Sequence, residues 1–114
     1  MTIYQLLNWL HYEGACEESL EYVEDCNTVE EAIRGAARHQ LMWILSCNMP
    51  GCAQIEVEVN RARAKLRADH DEAGRALSPH DYGGREAAFK AFQEADRAAL
   101  VEGILKISQI LVLV

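Results

Sequence analysis

The stretch from Cys52 to Ala76 reads CAQIEVEVNRARAKLRADHDEAGRA. Within it Cys52, Ile55, Val59, Ala62, Leu66, Asp69, Ala73 and Ala76 recur at alternating intervals of three and four, the spacing of one face of an α-helix. Asp69 is the single polar member of that seam. Ile55-Glu56-Val57-Glu58-Val59 taken alone alternates as a strand would, but the longer helical period outweighs it. Leu66 falls at the middle of the seam, so its truncation to alanine is expected to cost about 2–5 kcal/mol.

Working outward from this helix, Ser78-Pro79-His80-Asp81-Tyr82-Gly83-Gly84 is rich in turn formers and reads as a loop. A second long helix is expected from about Arg85 to nearly the end. It would bury Phe89, Phe92, Ala95, Ala99, Ile104, Leu105, Ile107 and Leu111. A short connection between two long amphipathic segments makes them antiparallel. On the other side, Asn48-Met49-Pro50-Gly51 ends the preceding segment, because a residue before proline leaves the helical region. Thr2 with Gln5 and Thr28 with Glu31 are two capping boxes, each opening a short apolar period. Gly14 is placed to stop the first helix. The second would turn Cys16, Leu20 and Val23 inward. The third runs through Val29, Ala32, Ile33, Ala36 and Ala37, with a break expected near Arg38 and His39 because Gly35 weakens it. Leu41-Met42-Trp43-Ile44-Leu45 is apolar on every side and reads as a buried centre. The expectation is a compact all-α domain over 1–114 with about five helices, three short in an acidic half at 1–47 and a long pair over 52–113.

Charge divides the chain unevenly. Glu13, Glu17, Glu18, Glu21, Glu24, Asp25, Glu30 and Glu31 all precede Arg34, the first lysine or arginine. The rest of the chain holds 10 acids and 11 bases, and the net charge is −7. Glu17, Glu21 and Glu24 would line the outer face of the second helix, where like charges at such intervals repel by a few tenths of a kcal/mol per pair. One reading makes this stripe a solvated face, or one paired internally with Arg61, Arg63, Lys65 and Arg67. The other makes Glu13, Glu17, Glu18, Glu21, Glu24 and Asp25 a docking surface for a basic protein, since a concentrated field of one sign steers encounter with its opposite. Direct nucleic-acid binding is disfavoured, because the net charge opposes phosphate and the basic run 61–67 is spread around a helix.

Other chemistry has thinner support. Cys47 and Cys52 flank a Pro-Gly turn and could present two thiolates to zinc, with Cys16 and Cys26, or His39, completing the set. The spacing lacks the paired tight turns of a zinc ribbon, and buried thiols are the plainer reading, so no metal and no cofactor are assigned. His11, His39, His70 and His80 fall in different elements with no base–nucleophile frame, so no catalytic residue is assigned and a non-enzymatic protein is expected. The apolar end, Ile104 to Val114, is about half of a bilayer span, which argues against a membrane helix. Six of its last eight residues are aliphatic, more than one helix face buries in a small domain. Ile104, Ile107, Ile110, Leu111 and Leu113 are therefore candidates for self-association into a homodimer. Cysteines without a secretory signal predict a reducing cytoplasm.

Residues 9–46 resemble a stretch found in small uncharacterised proteins of phages and prophages. The shared elements are Trp9-Leu10, Gly14-Ala15-Cys16, Leu20 to Val23, Thr28 with Glu31-Ala32, Arg38, and Met42-Trp43 to Leu45. Gln40-Leu41 stands where such proteins often have Asp-Trp. The resemblance implies a mobile-element origin in a host cytoplasm. It also implies the kind of role small acidic phage proteins often have, inhibition of host nucleic-acid-handling machinery in the manner of an anti-CRISPR. Three functional expectations result: an acidic inhibitor that docks on a basic protein surface, an assembly module that self-associates through its apolar end, and a small zinc protein.

Overall fold

The computed structural model describes residues 1–47 and 52–112, with side chains described as far as Gln109. All its elements are α-helices: α1 (Ile3–Tyr12), α2 (Glu17–Glu24), α3 (Val29–Gly35), α4 (Arg38–Ser46), α5 (Ala53–Ala76) and α6 (Tyr82–Val112). The helical class and the long C-terminal pair agree with the sequence reading. There are six helices where about five were expected, because the chain breaks at Ala36 and Ala37, both extended, slightly before the expected position. The expected stop at 48–51 lies outside the described residues.

Local signals in the sequence act where they stand. Thr2 and Gln5 form the full capping box, the Gln5 N–H donating to Thr2 Oγ1 at 3.2 Å and the Thr2 N–H to Gln5 Oε1 at 2.8 Å. Thr28 Oγ1 accepts the Glu31 N–H, but Glu31 reaches one residue further back, to the N–H of Asn27. Gly14 takes the left-handed conformation, φ 81°. The N–H groups of Gly14 and Ala15 then satisfy the carbonyls of His11 and Leu10, the crossed pair of a Schellman stop. The α5–α6 loop is shorter than expected, since Tyr82, Gly83 and Gly84 already belong to α6. Asp81 caps that helix through the Gly84 N–H at 2.9 Å.

Partner positions show that α5 and α6 are antiparallel: Val59 lies against Gly103, Arg63 against Asp96, and His70 against Phe92. A Cβ on Gly103 would overlap the Val59 side chain, so the two helices approach closely at this glycine. The inward stripe of α5 differs from the expected seam. Val59 is buried, Arg63, Leu66, His70 and Gly74 are half-buried, and Ala62, Asp69, Ala73 and Ala76 are exposed. The helical period was right and Leu66 keeps its inward place, but Ala62, Asp69 and Ala73 give way to Arg63, His70 and Gly74, each one residue later. Arg63 and His70 hold inner positions that a hydrophobicity pattern assigns to their apolar or acidic neighbours. His70 stacks on Phe92 with ring centroids 4.9 Å apart.

The core joins Leu6 and Leu10 of α1, Leu20 and Val23 of α2, Val29, Ala32 and Ile33 of α3, Leu41 and Leu45 of α4, and Leu100, Val101, Ile104 and Ile107 of α6. Leu41 and Leu45 face this core, whereas Met42 and Trp43 are partly exposed, so the apolar 41–45 run is buried on one face only. Phe89, expected inside, is 50% exposed. The distal half of the α5–α6 hairpin extends beyond the short helices, giving extents of 50 × 29 × 21 Å. The radius of gyration is 16.3 Å, against roughly 13 Å for a compact chain of this length. The expected compact shape is thus corrected to a small bundle with a projecting arm. No helix among the described residues is long and apolar enough to cross a membrane.

Two arginine contacts lock the bundle to the hairpin. Asp96 is 1% exposed, yet it receives Arg38 Nε of α4 at 2.7 Å and Arg63 Nε of α5 at 2.7 Å. Arg97 donates from Nε and Nη2 to the Ala36 carbonyl, and from Nη2 to that of Arg34, satisfying acceptors left open where α3 ends. Burial alone would raise the Asp96 carboxyl, but hydrogen bonds and charge from Arg63 and Arg38 outweigh it and hold the group below its ordinary value.

Two outcomes follow for stability. Leu100→Ala at a fully buried position is expected to cost about 2–5 kcal/mol, and Leu66→Ala, now half-buried, about 1–2 kcal/mol, read from urea midpoints. Asp96→Asn is expected to cost about 2–4 kcal/mol at neutral pH, since two partly solvated guanidiniums lose their anion. A depressed folded-state carboxyl contributes stability above its unfolded pKa and loses it as pH falls through the folded one. The gap between wild type and Asp96→Asn should therefore begin to narrow in unfolding curves below about pH 4 and go on narrowing as pH falls through the lower folded-state value.

Candidate functional site

α2 carries the acidic stripe. Glu17, Glu18, Glu21 and Glu24 are all exposed, as is Asp25 at its C-cap, and Glu13 at the end of α1 is half-buried. Leu20 and Val23 anchor the opposite face in the core. Among the described residues the ion pairs are Arg34 with Glu30 and Glu102, and Asp96 with Arg38 and Arg63. None involves the six stripe carboxylates. Pairing of the stripe with the 61–67 bases is therefore not seen, and Arg63 is committed to Asp96 instead.

Position along the helix adds a second cost. Glu17 and Glu18 sit in the first turn of α2, where the helix dipole favours negative charge. Glu24 and Asp25 sit at the other end, with no basic residue in the last turn. Each anion there is disfavoured by about 0.3–1 kcal/mol.

Beside the stripe lies a feature that the sequence reading did not find. α1 to α4 enclose a cavity of about 390 Å³, walled by apolar side chains including Leu6, Leu10, Val23, Ile33, Trp43 and Ile44. Its polar members are largely occupied with one another. Cys16 Sγ lies 3.1 Å from Ser19 Oγ, the Gln40 amide donates to the same hydroxyl at 3.3 Å, and the Tyr22 hydroxyl donates to the Ala32 carbonyl at 2.9 Å. Gly35 leaves room for that tyrosine, since a Cβ there would press on its hydroxyl. The signal was hidden because the wall is drawn from four separate helices, and small residues such as Gly14, Ala15 and Ala36 leave the space unfilled.

The other expected sites do not assemble in the same way. Ile104 and Ile107 are buried in the chain's own core, so they offer no surface to a second copy. Ile110, Leu111 and Leu113 lie outside the described side chains. The cysteines occupy separate surroundings. Cys16, expected on an inner face, is exposed at the N-cap of α2. Cys26 donates to the Tyr22 carbonyl and Cys47 to that of Trp43, while Cys52 is in the core. Among the described residues no group of three His, Cys, Asp or Glu side chains converges as a metal site. His39 lines the cavity, and His70 lies on the hairpin arm.

Hydrogen bonding from Ser19 draws the Cys16 thiol below its ordinary pKa, whereas burial raises Cys47, helped by the charge of Glu13, and burial raises Cys52. Thiolate is the reactive form. Iodoacetamide followed by peptide mass spectrometry should therefore modify Cys16 well before Cys47 or Cys52. Comparison of the chain with family models, curated proteins and solved structures returns no match.

Proposed function

We propose that this protein is a non-enzymatic acidic inhibitor, of phage or other mobile-element origin, that docks α2 and its flanks on a basic surface of a nucleic-acid-handling complex in the manner of an anti-CRISPR. One observation carries this reading. Six carboxylates from Glu13 to Asp25 have no lysine or arginine ion-pair partner among the described residues, and two of them stand at the helix end that disfavours them. An arrangement serving stability alone would place those charges elsewhere or pair them. Its complement is a surface that ordinarily holds nucleic-acid phosphate, so occupation by the stripe would exclude the nucleic acid. Nucleic acid itself is not the partner, because like charges oppose it. Self-association is the weaker reading, since Ile104 and Ile107 are already covered.

The test titrates the purified protein into RNA-guided DNA-binding complexes and follows target-DNA binding by gel shift. Inhibition that weakens steeply between low and physiological salt is expected. Glu21→Lys with Glu24→Lys should leave the fold intact, changing stability by no more than about 0.5–1 kcal/mol, and toward greater stability at Glu24. Inhibition should fall at least about tenfold, mainly through slower association. A folded double variant that inhibits at full strength would reduce the stripe to solvated surface.

A further inference from the structure

The arginines that hold Asp96 do not exhaust their donors on it. Arg38 gives it Nε alone, and Arg63 gives it Nε and Nη2. The other terminal nitrogens of both meet no protein acceptor among the described residues, and the two side chains are 34% and 20% exposed. Both line a recess of about 220 Å³ between α4, α5 and α6. Arg67, one turn beyond Arg63 on α5, lines it too. Its side chain has no hydrogen bond or ion pair among the described residues, although Asp71 stands four residues further on.

The lining itself sets the class of occupant. It holds three guanidiniums and a single carboxylate, that of Asp96. That is a surplus of two positive charges in a chain whose net charge is −7. Arg63 and Arg67 stand at the interval where like charges destabilise a helix, so an anion between them would relieve a strain as well as fill a space. Guanidiniums grip oxyanions through paired N–H groups, and a phosphomonoester carries close to two negative charges at neutral pH. A carboxylate or a phosphodiester, with a single charge, would leave half of the surplus unmatched. Asp96 also prepares the site, because bonds to the two Nε atoms fix Arg38 and Arg63 before any ligand arrives. Asn60 adds a carboxamide, and half-buried Phe92 adds an apolar wall. The volume is below the roughly 300–1,000 Å³ of pockets that enclose a whole drug-sized ligand. It suits a phosphate and the start of the group that bears it.

We propose that this recess is an oxyanion site for the phosphate of a small phosphomonoester, with Arg38, Arg63 and Arg67 on the phosphate oxygens and the organic group against Phe92. The site is independent of the acidic docking on α2. It is built from other helices and takes a ligand of the opposite sign to that partner.

NMR titration of the full-length chain, read on arginine Nε–H resonances, tests this with phenyl phosphate, inorganic phosphate and benzoate. Phenyl phosphate should bind about three- to tenfold more tightly than inorganic phosphate and at least about tenfold more tightly than benzoate. Its ring protons should show nuclear Overhauser contacts to Phe92. Arg67→Gln, an exposed change that leaves the Asp96 junction intact, should weaken both phosphates about tenfold. Arg61→Gln removes the same charge from a residue outside the lining and should change them by less than about twofold. Circular dichroism checks the fold of both variants. Equal effects of the two substitutions would reduce the binding to general charge and overturn the site, as would a wild type that binds none of the three probes at millimolar concentration. Benzoate binding as tightly as phenyl phosphate would overturn the phosphate assignment. Inorganic phosphate binding as tightly as phenyl phosphate, without ring contacts to Phe92, would overturn the ester and leave free phosphate as the ligand.

Discussion

Asp96 is the point at which three helices become one structure. Its carboxylate lies inside the protein, where an isolated charge would be prohibitively costly, and it is tolerable only because Arg38 and Arg63 reach it from two other helices. Each guanidinium keeps some contact with solvent, so most of the desolvation falls on the acid. The arrangement is directional in a way that apolar packing is not. Sliding α5 along α6 by one turn would take Arg63 from its partner, and rotating α4 would take away Arg38. Val59 against Gly103 fixes the separation of the same two helices, while the ion pairs fix their register. Arg97, on the next residue, ties in α3 through its open carbonyls. Adjacent side chains on α6 thus tie α3 and α4, two of the four short helices, to the long pair.

That economy of bases has a consequence for the acidic end. Arg34, Arg38, Arg63 and Arg97 all face inward contacts or local partners, so these four cations are already engaged. α2 receives its two apolar anchors from the core and no counterion among the described residues. Its inner face is anchored by Leu20 and Val23, and its outer face is left electrostatically open.

The helical class, the capping at Thr2, the stop at Gly14 and the antiparallel long pair were legible in the sequence because each depends on neighbours within a turn or two. The phase of the α5 seam was not, since it depends on Arg63 and His70 spending their polarity on residues of α6. Periodicity scores side chains by type, and cannot tell an arginine reaching water from one reaching Asp96. Nothing in the sequence around Asp96 sets it apart from a solvent-facing acid. The acidic stripe was fully legible as composition, but its lack of ion-pair partners was a tertiary fact. The cavity was legible in no segment, because it is the space that Gly14, Ala15 and Ala36 fail to fill between helices distant in sequence.

The projecting arm divides the molecule into regions of unequal cooperativity. Beyond Arg67 on α5 and before Gln93 on α6, each helix has little but the other to lean on, and Phe89 is half in water. Such a segment can open and reclose without disturbing the Asp96 junction or the short helices. Amide protons near the Asp81 turn would then exchange through local opening, whereas those around Leu100 would await global unfolding. On this geometry the chain is expected to behave as two foldons joined at one buried charge, the looser opening while the other keeps the acidic face in place.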